Sequence, residues 1–245
     1  SSSNDDKIVI DGLQCVNFCS NDYLSLSKHP KIIEEFVKAA MKYGVGSGSS
    51  AMVSGYYDVQ EELEQRFAQW LGVDKAILFS SGYLANIGAI SALANRSSII
   101  FSDKLCHASI LDGIQLSRAK HYRYRHNELG DLTRLANLYR PDFIMSESIF
   151  SMEGDIAPIP DLLELAKNSN ASLIIDDAHG IGVLGEQGRG VCELFGMHAS
   201  ELACLIMPLG KAFNGMGAIV AGNQTIVESV LQLARTYRYS TALPP

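Results

Sequence analysis

The feature that most constrains the fold is an alternation of short apolar runs with segments of helical periodicity. Five apolar runs stand out along the chain: AILF, SIIFS, FIMSES, SLIIDD and LACLIM. Helical patterns follow three of them, at residues 83–95, 108–117 and 161–167. This repetition predicts a mostly parallel sheet with helices on both faces. The run GAIVAG, residues 217–222, follows LACLIM too closely for a helical crossover, so we expect an antiparallel neighbour.

The N-terminal part is predicted to be a separate segment that ends in one helix, residues 1–43. Pro30 stands at the start of an amphipathic pattern, and Gly44 stops it. We expect a second helix from Asp58, as its cap, to Gly72. The glycine-rich GVGSGSS between the two helices lacks the Gly-Lys-Ser/Thr ending of a phosphate-binding loop. Residues 44–245 are predicted to form one large domain.

Composition favours a small-molecule partner in a reducing compartment. The net charge of −7 and the scattered Lys and Arg argue against a nucleic-acid surface. No apolar run has membrane-spanning length, and the serine-rich start lacks the regions of a signal peptide. The five cysteines show no CxxC pair, which disfavours a zinc ribbon or a disulfide framework and favours the cytoplasm. Both ends look cut, so we expect a piece of a longer protein.

Reactive side chains follow the predicted strands at the point where each strand ends. The segments are SSGY after AILF, DKLCHAS after SIIFS, ESIFS after FIMS, DDAHG after SLII, and PLGK after LACLIM. In open α/β sheets, ligands bind at the carboxyl ends of the strands. The sequence therefore predicts that these five strand ends border one crevice.

Three of these residues suggest chemistry on a cationic ring. Asp176 ends an apolar strand, where an unpaired carboxylate would be costly, so a cationic partner such as a protonated pyridine nitrogen is expected. His179 could hydrogen-bond a phenolic oxygen or hold a reacting carboxylate. Lys211, flanked by Gly210 and Ala212, has the accessible position that a Schiff-base lysine needs.

Two further groups complete a cofactor site. Ser81, Gly82 and Tyr83 begin a predicted helix, where free backbone N–H groups favour a phosphate. His107, near a neighbouring strand end, could stack on a flat ring. Together with the three residues above, these parts describe a site for pyridoxal phosphate.

Plainer interpretations exist for each motif taken alone. A lysine in LGKAF is more often a surface charge than a nucleophile. The DDAHG segment could be a structural network, or a metal site in a metal-dependent hydrolase that uses Asp176, Asp177 and His179. The pyridoxal phosphate hypothesis depends on the presence of all these segments together and on their order in the chain. It requires no metal ion.

The quoted segments resemble, in order, the α-oxoamine synthase family of pyridoxal-phosphate enzymes. The likeness runs from about Asn17 to the last residue, through the following stretches: NFCSNDYLSLSKHP, GSGSSAMVSGYYDVQEELE, SSGYLANIGAI, SDKLCHASILDG, ESIFSMEGDIAP, DDAHGIGVLGEQGRG, LGKAFNGMGA and YSTALPP. The resemblance implies the large domain of the aspartate-aminotransferase-like fold, with a mostly parallel seven-stranded sheet in residues 44–245. It also implies a C-terminal small domain that this chain lacks.

The resemblance also implies a role for particular residues. Lys211 would form the Schiff base and then remove the α-proton, Asp176 would pair with the pyridinium, and His179 would bond the cofactor phenolate. His107 would stack on the ring, and the backbone N–H groups of Gly82 and Tyr83 would hold the phosphate. Thr241 would reach the phosphate in a partner subunit of a homodimer. The remaining matches line the substrate and cofactor region: Asn21, Glu147 and Ser151.

The segments VSGYYDVQEELE and DDAHGIGVLGEQGRG are most similar to one branch of this family. That branch condenses a pimeloyl thioester, carried on coenzyme A or an acyl carrier protein, with L-alanine in biotin synthesis. Branches that use glycine or serine are alternatives, as is a non-catalytic partner subunit, against which the presence of Lys211 argues. Two positions depart from the family pattern, with Pro208 in place of a small hydroxyl residue and Cys106 in place of asparagine.

Overall fold

The computed structural model of the protein describes residues 7–245, so the first six residues of the predicted N-terminal segment lie outside the described residues. The chain begins with a hairpin of β1 (Lys7–Ile10) and β2 (Leu13–Val16), followed by α1 (Pro30–Tyr43). The remaining elements are α2 (Asp58–Leu71), β3 (Lys75–Phe79), α3 (Gly82–Leu93), β4 (Ile99–Asp103), α4 (Ala108–Ser117), β5 (Lys120–Tyr124), α5 (Leu129–Tyr139), β6 (Phe143–Glu147), α6 (Ile159–Ser169), β7 (Ser172–Asp176), α7 (Val191–Leu194), β8 (Cys204–Pro208), β9 (Ala218–Gly222), α8 (Gln224–Leu233) and α9 (Arg235–Arg238).

Seven strands form one sheet in the order β3-β9-β8-β7-β6-β4-β5. The strands β8, β7, β6, β4 and β5 are parallel to one another, whereas β9 runs antiparallel to both β8 and β3. The mostly parallel seven-stranded sheet is therefore confirmed, and so is the antiparallel neighbour after LACLIM. The order places the ends of β4, β6, β7 and β8 side by side.

Apolar residues alternate along the strands and create a core on each face. In β7, Leu173 and Ile175 point toward the face covered by α2, α5 and α6, whereas Ile174 points toward the face covered by α3, α4 and α8. Each fully buried side chain of this size contributes about 1.5–3 kcal/mol. Packing on both faces explains why the strands read as continuous apolar runs.

Two local features differ from the sequence expectations. Tyr57, and not Asp58, is the N-cap of α2, where the Tyr57 N–H donates to the Gln60 side chain at 3.0 Å. The strand β5, KHYRY, was not predicted because its charged residues interrupt the apolar pattern by which the other strands of the sheet were recognised. As an edge strand bonded only to β4, it can expose charged side chains without cost to the core.

None of the described helices, over residues 7–245, is long and apolar enough to cross a membrane.

Candidate active site

A cavity of about 180 Å³ opens at the carboxyl ends of the parallel strands. Its lining comes from the first two turns of α3, the start of α4, and the ends of β6, β7 and β8 with the residues that follow them: Gly82, Tyr83, Asn86, His107, Ser109, Glu147, Asp176, Ala178, Pro208 and Lys211. Residues from distant parts of the chain meet here because parallel strands end on the same edge of the sheet.

Asp176 is a buried carboxylate at the floor of the cavity. It ends β7, and its side chain is 5% exposed. Asn86 Nδ2 donates to Oδ2 at 2.6 Å, and the Ala178 N–H donates to Oδ1 at 3.1 Å. Burial raises the pKa of Asp176, and the Asn86 hydrogen bond and the nearby Lys211 and His107 oppose this effect. A cation bound in the cavity would therefore stabilise the ionised form further.

Lys211 and His179 are in direct contact beside this carboxylate. Lys211 Nζ lies 2.8 Å from His179 Nε2, and His179 Nδ1 lies 2.6 Å from the Tyr23 hydroxyl. Burial lowers the pKa of Lys211 against the opposing pull of Asp176 and Glu147. Burial, with the charges of Lys211 and His107, lowers the pKa of His179 to about 4. At neutral pH, His179 is therefore an uncharged ring that can accept a hydrogen bond from the ammonium group.

Glu147 brings a second carboxyl group to the cavity. It ends β6 in register with Asp176 on β7, and its Oε1 accepts a hydrogen bond from the His107 N–H at 2.6 Å. Burial, with the charge of Asp176, raises the pKa of Glu147 to about 7. Glu147 thus fixes the backbone of the loop that carries His107.

The first turn of α3 forms one wall of the cavity. Ser81 is its N-cap, and its hydroxyl accepts a hydrogen bond from the Leu84 N–H at 3.2 Å. Helix geometry leaves the N–H groups of Gly82 and Tyr83 without intrahelical partners, so they are suited to an anion. Pro208 packs against Gly82, where an added Cβ would lie 2.5 Å from Pro208 Cγ. Only glycine therefore fits beside Pro208.

Asp177 follows Asp176 in the chain but belongs to a different environment. Its Oδ2 accepts a hydrogen bond from the Val191 N–H at 3.0 Å, and Gly180 and Gly190 pack against the carboxyl group. Burial raises the pKa of Asp177 to about 7. Asp177 therefore organises the loop of residues 178–191.

Within residues 7–245, no group of three or more His, Cys, Asp or Glu side chains is arranged so that it could hold a metal ion.

The titration of Asp177 predicts a pH-dependent stability. Since its pKa is raised from 3.8 to about 7 in the folded protein, the folded state holds a proton that the unfolded state has lost between these values. The free energy of unfolding should fall as the pH rises through this window, by up to about 1.4 kcal/mol per pH unit from this group. Asp177→Asn should remove that contribution and be more stable than the wild type above pH 7.

Urea unfolding at several pH values tests this expectation. The informative quantity is the difference between wild type and Asp177→Asn, because other titrating groups cancel. Asp161→Asn, at an exposed position of α6, is the matched control. A difference that stays constant between pH 4 and 8 would contradict the assignment.

The structure does not bring every predicted site residue into the cavity. Ser151 is exposed in the turn after Phe150. Thr241 is also exposed and lines a different cavity, together with Tyr56 and Glu64. Asn21 is connected indirectly, because its Oδ1 accepts a hydrogen bond from the Tyr23 hydroxyl at 3.1 Å. The other predicted residues line the cavity, or contact a residue that does.

Sequence reasoning missed three residues that contact the predicted ones. Tyr23 bonds His179, Asn86 bonds Asp176, and Ser109 Oγ lies 2.7 Å from His107 Nδ1. Asn86 and Ser109 each stand one helical turn or less from a predicted residue. An amide side chain on the mostly apolar helix α3 was the available signal for Asn86.

Comparison with known proteins identifies the class of fold. The model of the aminotransferase class I and II family matches residues 14–245. The chain belongs to this family, and the aspartate-aminotransferase-like fold predicted from the sequence is confirmed.

Individual relatives carry more specific names. An 8-amino-7-oxononanoate synthase of Methylococcus capsulatus is 46% identical over 100% of this chain and 64% of its own length. A solved 8-amino-7-oxononanoate synthase of Francisella tularensis is 39% identical, with a TM-score of 0.82 over 93% of this chain and 64% of its own. A serine palmitoyltransferase of S. paucimobilis with a bound PLP–myriocin aldimine is 32% identical, with a TM-score of 0.92 over 98% of this chain and 62% of its own.

The chain thus spans less than two thirds of the length of these relatives. Both enzyme names belong to the α-oxoamine synthases, so the resemblance noted in the sequence is confirmed.

Proposed function

We propose that the protein is a pyridoxal-phosphate-dependent acyltransferase that condenses a pimeloyl thioester with L-alanine and releases carbon dioxide and the thiol carrier. The product would be 8-amino-7-oxononanoate, a precursor of biotin. The observation that carries the proposal is the meeting of Lys211, Asp176, His107 and the N-terminus of α3 in one cavity. The likeness to a synthase of this name over the whole chain supports the choice of substrates.

The residues present fit the cofactor. Asp176 is a buried carboxylate whose pKa is raised by burial, and its two hydrogen bonds come from uncharged N–H groups. Lys211 supplies an amine whose pKa burial lowers. The free N–H groups of Gly82 and Tyr83 suit the phosphate, and the ring of His107 suits a flat aromatic group. We propose these roles, with Ser81 as the cap that orients the first turn.

When bound, pyridoxal phosphate supplies an electrophilic carbonyl and a pyridinium ring that withdraws electrons from the α-carbon of the amino acid. The chain supplies the rest. Asp176 would keep the ring nitrogen protonated, and Lys211 Nζ would hold the cofactor and later take the α-proton. His179, uncharged at neutral pH and 2.8 Å from Nζ, can accept a hydrogen bond from the ammonium group, and it would bond the cofactor phenolate.

The remaining roles are parts of the same proposal. Glu147 would line the substrate region, and Asn21 would lie at the entrance through its bond to Tyr23. Ser151 and Thr241 are proposed to act from outside this cavity, Thr241 toward a partner subunit. Residues 44–245 are proposed as the cofactor-binding domain and residues 1–43 as a separate N-terminal segment.

We further propose a homodimer in the cytoplasm. Helix α1 supports an interface, since none of its residues is buried within the described part of the chain, and Phe36 is 74% exposed. The five cysteines show no CxxC pair, which favours a reducing compartment.

Borohydride reduction tests the cofactor assignment. The protein is incubated with pyridoxal phosphate, reduced, digested, and mapped by mass spectrometry. We expect a phosphopyridoxyl adduct confined to Lys211, because its pKa is lowered and it faces Asp176. A folded sample without an adduct, or with adducts spread over exposed lysines, would overturn the proposal.

A second candidate is condensation of palmitoyl-CoA with serine. It is favoured by the TM-score of 0.92 with the serine palmitoyltransferase, whereas the higher sequence identity favours pimeloyl thioester and alanine. Turnover assays with each pair of substrates separate the two.

A further inference from the structure

We propose that Asn86 is a positioning residue that orients two cofactor-facing groups at once, the Asp176 carboxylate and, through Ser109, the His107 ring. The inference rests on the proposed function, since both groups are assigned there to the cofactor.

The side-chain amide of Asn86 uses both of its N–H bonds at the cavity. Asn86 is 2% exposed on α3. Its Nδ2 lies 2.6 Å from Asp176 Oδ2 and 3.0 Å from Ser109 Oγ. An ionised carboxylate can only accept hydrogen bonds, so the amide nitrogen, and not the oxygen, must face Asp176. The orientation of the amide is therefore determined by its neighbour.

The bond from Asn86 also determines what Ser109 can do. Because Ser109 Oγ accepts from Asn86, its own hydrogen is free to donate to His107 Nδ1, which lies 2.7 Å away. The Ser109 backbone N–H donates to the same nitrogen at 3.2 Å. In the uncharged form of the His107 ring, the two donors on Nδ1 leave the ring proton on Nε2. The ring then has one tautomer and one orientation.

The remaining atom of Asn86 argues against a purely structural role. Within residues 7–245, Asn86 Oδ1 is buried without a hydrogen-bond partner. A buried, unsatisfied carbonyl oxygen destabilises the folded protein, so an apolar residue of the same size would suit α3 better. An asparagine here is explained by the two bonds that it donates into the cavity.

Two measurements on the full chain test this proposal. The first is ¹⁵N NMR of the imidazole of His107 without pyridoxal phosphate, which reports the tautomer. The second is the dissociation constant of pyridoxal phosphate from equilibrium dialysis. In Asn86→Leu, we expect a mixture of His107 tautomers and binding weaker by about tenfold or more, the effect of losing a hydrogen bond to a charged group.

One further variant separates the effect of the Asn86–Asp176 hydrogen bond from that of the Asn86–Ser109 hydrogen bond, and another serves as a control. Ser109→Ala should change the His107 signals but retain most of the affinity, because the Asn86 bond to Asp176 remains. Ser91→Ala is the matched control, since its hydroxyl donates to backbone carbonyls within α3, to Ile87 at 2.6 Å and Gly88 at 3.4 Å. It should change neither measurement. If Asn86→Leu does not fold, Asn86→Ala removes both donated hydrogen bonds at a position where the helix tolerates alanine, and the same two results are expected.

The outcomes distinguish this inference from the proposed function. Unchanged His107 signals, or an affinity within about twofold of the wild type, in the Asn86 variants would overturn the positioning role. If the wild type itself fails to bind pyridoxal phosphate, the proposed function fails, and the positioning role toward the cofactor fails with it. In that case, the NMR signals still decide whether Asn86 and Ser109 orient His107.

Discussion

Lys211→Ala is expected to remove the borohydride-reducible adduct and to slow the exchange of the α-proton of alanine with solvent by at least about 10²–10⁴-fold. The reason is that, among the lysines of residues 7–245, Lys211 is the one that lines this cavity. Asp176 lines the same cavity, and Lys211 Nζ contacts His179 Nε2 at 2.8 Å. Exchange measured by the loss of the α-proton NMR signal in D₂O reports this step without the acyl substrate.

Two other lysine variants make the result specific. Lys211→Arg keeps a positive charge, but its guanidinium stays protonated and cannot act as a nucleophile, so it should fail as completely as alanine. Lys167→Ala removes a surface lysine that pairs with Glu201 at 2.8 Å, and it should behave as the wild type. Normal exchange in Lys211→Ala would refute the assignment of the lysine.

Asp176→Asn is expected to slow α-proton exchange by at least about 100-fold, the scale of losing a preorganised charge at a reacting centre. Without the carboxylate, the ring nitrogen of the cofactor loses the group that keeps it protonated. The affinity for pyridoxal phosphate should fall as well, since a cation would lose its buried partner.

The fold of Asp176→Asn should be preserved, because the Ala178 N–H can still donate to the side-chain oxygen and the Asn86 amide can turn its unsatisfied Oδ1 toward the new NH₂ group. Circular dichroism and the urea midpoint check this point. Asp161→Asn on the exposed face of α6 controls for the loss of one negative charge. An exchange rate equal to the wild type, in a variant that binds the cofactor, would show that Asp176 is not the counter-ion.

Local patterns in the sequence were sufficient for most of the sheet and for much of the cavity. Apolar runs followed by polar residues predicted where β4, β6, β7 and β8 end, and parallel strands necessarily end on one edge. That is why Glu147, Asp176 and Lys211 could be assigned to one crevice from the order of residues alone. The edge strand β5 was not predicted. A strand that is buried on both faces consists of apolar residues, but β5 is partly exposed and contains charged residues, so it lacks that pattern.

The hydrogen bonds that orient these side chains depend on contacts between residues far apart in the chain. Asn86 and Asp176 are separated by 90 positions, and Tyr23 and His179 by 156. No periodicity in the sequence relates the two residues of such a pair, and neither Asn86 nor Tyr23 belongs to a recognisable catalytic motif. The same limit applies to Ser151 and Thr241, whose distance from the cavity is set by the paths of a turn and of the C-terminal segment.

The sequence by itself determined the apolar strands of the large sheet, which side chains stand at their ends, and what chemistry those side chains suit, because these properties follow from residue type and short-range spacing. Only the tertiary structure decided the strand order, the contact of Lys211 with His179, and the separation of Asp177 from Asp176 into the loop of residues 178–191. Burial and hydrogen-bond geometry arise when distant segments pack together, and they set the pKa values on which the proposed chemistry depends.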